Sequence, residues 1–126
     1  FPVKQQKTKV SSRYFHYIYV EQGEDTWLHR RGAGDIWQNL YEPPLLETSA
    51  EADELPKVAW LKKPTLLAAP VKHVLSHRVI YADLRKVTLP PSFPVPEKFI
   101  RLPAKDVKKY AVSRLVQKLL EKAGLL

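Results

Sequence analysis

The sequence predicts an α+β domain in which a mixed β-sheet packs between helices, an α/β/α sandwich. Two observations carry this. Tyr14 to Val20 is an unbroken aromatic and β-branched run, the mark of a strand apolar on both faces and therefore central. At the far end, Val112, Leu115, Val116, Leu119, Leu120 and Ala123 recur at the spacing of one helix face. Between them the order reads β-β-β-α-β-β-β-α. The chain's 126 residues suit a single domain with one real core. Its longest apolar runs fall far short of the roughly 18 residues that a membrane span needs.

Residues 1–12 are polar and basic, with Lys4, Lys7 and Lys9 and no periodicity, and read as the end of an interdomain linker. Residues 13–126 form the domain. A chain opening Phe1-Pro2-Val3-Lys4 reads as a piece of a longer protein. After the first strand, Gln22-Gly23-Glu24 turns the chain into a returning strand from Thr26 to Arg31. Arg31-Gly32-Ala33-Gly34 is a corner, and the double proline Pro43-Pro44 makes residues 35–44 a packed loop anchored by Trp37, Leu40 and Tyr41. Leu45 to Glu47 is a short strand. Thr48 and Glu51 have capping-box spacing, which predicts a helix starting there and ended by Pro56, with a further turn through Lys57 to Leu61.

Residues 70–75 and 77–87 read as two strands meeting at Leu75-Ser76-His77, the second with Ile80, Ala82 and Leu84 on one face. The proline-rich stretch from Thr88 to Pro96 cannot be regular structure. Phe99 to Leu102 suits an edge strand, and Asp106 opens a helical turn through Tyr110. Ser113 is placed to cap the last helix and Gly124 to end it.

Charge is distributed unevenly. Residues 21–56 carry a balance of −7 and residues 57–126 one of +11, within a net charge of +8. A basic back half suits a polyanion such as nucleic acid. The polar corner Ser76-His77 lies in that half, and Lys72, His73 and Arg78 around it are candidates for phosphate contacts that position rather than specify. The chain has no cysteine, so it offers no disulfide, thiol nucleophile or Cys-bound metal. His73 and His77 are four apart, but a strand and corner do not bring them onto one face as a helix would, so no zinc site is expected. No metal is assigned and no catalytic residue is named.

The stretch Asp35-Ile36-Trp37-Gln38-Asn39-Leu40-Tyr41-Glu42-Pro43-Pro44-Leu45, followed later by Leu75-Ser76-His77, resembles the C-terminal domain of MutY-type A/G-specific adenine DNA glycosylases. That family shows an Ile-Trp-x-Gly-Leu-Tyr-Glu-Phe-Pro-like stretch and a later Phe-Ser-His loop, and Pro2-Val3-Lys4 is similar to its linker exit. Asn39 for Gly, Pro43 for Phe and Leu75 for Phe are departures.

The resemblance implies a Nudix-like (MutT-like) fold that recognises 8-oxoguanine opposite adenine in duplex DNA. Ser76 would hydrogen-bond the oxidised guanine, His77 would contact the backbone or the lesion pair, and Leu75 would serve as wedge or packing residue. Catalysis would reside in an N-terminal helical domain with a Cys-bound iron–sulfur cluster, a partner of this chain. The fragment itself would need no cofactor, and the whole protein would be a bacterial, cytoplasmic, nucleoid-associated monofunctional glycosylase.

A hydrolytic Nudix domain holds Mg²⁺ through a Gly, a Glu six residues on, and later an Arg-Glu and a Glu-Glu pair. This chain has Leu40 six residues after Gly34 and contains neither dipeptide. Two other readings stay open: a Nudix-type nucleotide pyrophosphohydrolase with a degenerate metal site, and a generic nucleic-acid-binding module.

Overall fold

A computed structural model of the chain describes residues 11–50 and 54–126. Among the described residues, seven strands are followed by two helical segments. The strands are β1 (Ser11–Glu21), β2 (Asp25–Arg30), β3 (Tyr41–Glu42), β4 (Leu45–Thr48), β5 (Thr65–Leu75), β6 (Arg78–Thr88) and β7 (Ile100–Pro103). A 3-10 segment (Ala104–Lys109) and helix α1 (Arg114–Lys122) close the chain.

The main sheet runs β4-β1-β6-β5, with β1 parallel to β6 and both edge strands antiparallel to their neighbours. The sheet is mixed, as expected, and the aromatic first strand is central to it. A smaller sheet runs β3-β2-β7.

Strand alternation divides the core in two. Phe15 and Tyr17 face one way, with Ile80, Leu84 and the buried stripe Leu115, Val116, Leu119 and Leu120 of α1. Ile18 and Val20 face the other, with Trp27, Trp60, Val87 and Phe99. Each fully buried leucine of α1 contributes about 1.5–3 kcal/mol. Ser113 accepts the Val116 N–H at 3.1 Å as the N-cap, and Gly124 (φ +74°) ends the helix. The buried His16 links three strands, meeting Asp83 of β6 at 3.0 Å and Thr48 of β4 at 2.9 Å.

The helix predicted from Thr48 is not formed among the described residues. Thr48 closes β4 opposite Tyr14, and its hydroxyl donates to the Ala50 carbonyl (2.8 Å) while meeting His16. Glu51 and Asp53 lie outside the described residues. From Glu54 to Pro64 there is a single turn, closed by the Leu61 N–H on the Val58 carbonyl. Leu55, Val58, Trp60 and Leu61 nonetheless pack on the second core cluster, taking the covering role expected of the helix. None of the described helices is long and apolar enough to cross a membrane.

Candidate nucleic-acid interface

Strands β5 and β6 form a hairpin whose two-residue tip is Ser76-His77, with Leu75 paired to Arg78. Both tip residues are exposed. Neither has positive φ, so the tip is not one of the left-handed turns that require Asn-Gly. Eleven-residue strands on both sides make the base of the tip stiff. The tip is also pinned from the side: the Ser11 N–H donates to the His77 carbonyl at 3.1 Å, and the Ser11 hydroxyl at 3.4 Å. The start of β1 therefore lies against the corner.

Alternation along β5 sorts the neighbouring residues onto two faces. Leu75 and His73 lie on the α1 side. Leu75 is half-buried and packs on the first core cluster, and the His73 ring meets Trp37 edge to face at 5.8 Å. Lys72 and the exposed Val74 lie on the opposite side. There Lys72 is paired with Tyr81, whose ring stacks on Tyr14 with centroids 5.2 Å apart.

Arg78 is not a free cation. It stands 3.7 Å from Asp35, a carboxylate that also accepts from Arg13 (2.7 and 3.0 Å), from Arg31 (2.8 Å) and from the Ile36 N–H (2.7 Å). The Arg13 hydrogen bonds hold the Asp35 carboxyl down to about 2, against its modest burial. Arg13 in turn is pushed upward by Glu47 and Asp35. Arg31 continues inward to the buried Glu42 at 3.1 Å, which also takes the Tyr17 hydroxyl (3.0 Å) and His29 (2.7 Å). Burial, then Glu42, raises the Tyr17 phenol well above its ordinary value.

This network fixes the loop carrying Asp35 and Trp37 beside the tip. Asn39 in that loop has φ +69°, the left-handed region that glycine prefers and asparagine tolerates, so its departure from Gly conserves backbone shape.

The same carboxylates bear on Mg²⁺. Asp35, Glu42 and Glu47 are each engaged by Arg13 or Arg31, and among the described residues no group of three or more His, Asp or Glu side chains could hold a metal ion. The donor set on this side of the sheet does not fit a divalent cation.

Two cationic residues absent from the sequence reading also come into the neighbourhood. Arg114 and Lys118, one turn apart on α1, line a groove of about 350 Å³ with His73, Gln117 and Glu121. Desolvation first, then Lys118 and Arg114, pushes the His73 imidazole below its usual value.

A NUDIX-domain family profile matches residues 16–122. The chain belongs to the NUDIX domain family. Among solved structures, this NUDIX domain is similar to the C-terminal domain of mouse MUTYH, determined in complex with human PCNA. The TM-score is 0.70 at 17% identity, covering 89% of this chain and 87% of that one. It is also similar to RenU, a Nudix hydrolase from M. smegmatis, with TM-score 0.54 and 9% identity, covering 94% and 88%. No curated protein matches the chain in sequence. The family match and the shared fold support the resemblance read from Ile36-Trp37 and Leu75-Ser76-His77.

Proposed function

We propose that this NUDIX domain is the non-catalytic lesion-recognition domain of a MutY-type adenine DNA glycosylase, discriminating 8-oxoguanine from guanine opposite adenine. The observation that carries the reading is the Ser76-His77 tip: two exposed polar residues on a stiff hairpin, pinned by Ser11 and backed by core-packed Leu75. Oxidation of guanine at C8 adds a carbonyl oxygen and places a hydrogen on N7. A hydroxyl or backbone N–H at a fixed tip can read that edge, and is left unpaired by the wrong one. Lys72 and His73, on opposite faces of β5, flank the tip as phosphate contacts. Arg78 serves through Asp35 as a brace for the tip as well as a cation.

Adenine excision itself is assigned to a helical domain outside this chain, the second partner beside duplex DNA. In the test, this chain is joined to such a domain and adenine excision is compared opposite 8-oxoguanine and opposite guanine. Replacing both tip residues by alanine (Ser76→Ala, His77→Ala) is expected to narrow the preference for the oxidised base. An unchanged ratio refutes the assignment of the tip. Mg²⁺-dependent turnover of 8-oxo-dGTP by the chain alone would instead favour a nucleotide hydrolase.

A further inference from the structure

We propose that the groove between β5 and α1 grips a phosphate of the bound duplex, a short distance from the lesion. This rests on the reading of the chain as a duplex-DNA module and adds to it a contact from a different element, α1.

The cations of the domain fall into two classes. Arg13, Arg31, Arg78, Arg85, Lys86, Arg101 and Lys109 each stand within 4 Å of a carboxylate. Among the described residues, the remaining Lys and Arg side chains have no such partner, and of these Arg114 and Lys118 lie one turn apart on one face and line a single groove. His73 faces them from β5, and its depressed protonation reflects burial and then the field of these two cations. Glu121 also lines the groove, one turn beyond Gln117. Its carboxylate accepts from the Gln117 amide at 3.3 Å and keeps its charge, but it stands two turns along the helix from Arg114.

An anion there would relieve like-charge crowding and find donors of three kinds: guanidinium, ammonium and an imidazole N–H. The lining is polar, and its one ring, His73, already meets Trp37 edge to face. That suits a phosphodiester and gives a stacked base no platform.

Position favours DNA over a separate acidic ligand. His73 on β5 is three residues before Ser76 at the tip, about 10 Å at strand rise. That spans about three base-pair steps of duplex at 3.4 Å each. One duplex lying along the edge of β5 can therefore meet both the tip and the groove.

The test measures binding of the 126-residue chain to duplexes carrying 8-oxoguanine or guanine opposite adenine, over a salt series. The double substitution Arg114→Ala/Lys118→Ala changes two exposed helix positions to the best helix former, so the fold is retained. Loss of the one gripped phosphate is expected to reduce the slope of log affinity against log salt by about 0.9, equally for both duplexes. Lys57→Ala/Lys62→Ala, at exposed cations remote in sequence from the groove, is expected to leave the slope unchanged.

An unchanged slope in the groove variant, an equal loss in the control, or no salt-dependent binding by the wild type overturns the proposal. So does loss of binding to an acidic peptide alone, which would assign the groove to protein. Equal wild-type affinity for the two duplexes, with the slope loss intact, sinks the lesion reading and leaves the grip standing.

Discussion

At the scale of single residues, the corner was legible and its supports were not. Ser76 and His77 fall at the exposed tip because flanking alternation marks both strands, and alternation is a local signal. Arg78 read as a free cation because Asp35, its partner, lies far upstream, and only the fold brings them together. Arg114 and Lys118 carried no site signal in the sequence, because only the fold brings His73 to the groove they line. Asp35 makes a testable contribution. Its pKa is depressed in the fold, so its ion pairs stabilise above the unfolded value of 3.8 and the stabilisation is lost as pH falls toward about 2. Its side chain is 36% exposed, and solvent screening keeps the contribution to about 1 kcal/mol. Urea titrations of wild type and Asp35→Asn are expected to differ at pH 6 and to converge near pH 2; a gap that persists at pH 2 would refute the ion-pair origin. Leu75 separates packing from the proposed contact with DNA. Half-buried on the core, Leu75→Ala is expected to cost about 1–2 kcal/mol of folding stability, whereas Ser76→Ala stays within about 0.5 kcal/mol.

At the scale of elements, the contrast between α1 and the segment after Thr48 explains what local pattern can deliver. The α1 stripe predicted burial, and Leu115, Val116, Leu119 and Leu120 are buried, whereas Val112, expected on the same stripe, precedes the Ser113 cap and bridges Tyr41 instead. Ser113 was legible as its cap, and Ser113→Ala is expected to lower stability by about 1 kcal/mol, read as a shift in urea midpoint at constant slope. Thr48 had a cap's spacing with no apolar repeat behind it. Its hydroxyl was drawn instead to His16 and the Ala50 carbonyl. A capping residue without an amphipathic face behind it is a weak helix signal.

At the scale of the whole molecule, the mixed sheet was expected but its division into two sheets was not. The parallel pairing of β1 with β6 joins segments separated by most of the domain, and nothing in either strand's own pattern names the other. That pairing has a consequence for assembly. Because Ser11 is bonded to the His77 carbonyl, the chain enters the domain at the corner itself. Whatever is covalently attached ahead of Ser11 is thereby tethered next to the tip. Under the proposed function, a helical domain joined there through a short tether would act at a high effective concentration beside the corner, which could then work with weak affinity of its own. Lengthening it fourfold with Gly-Ser repeats is expected to reduce that concentration about eightfold. Excision from 8-oxoguanine duplexes at limiting enzyme should fall accordingly, with binding by the isolated chain unchanged; insensitivity to tether length would show that the two domains are held by their own interface.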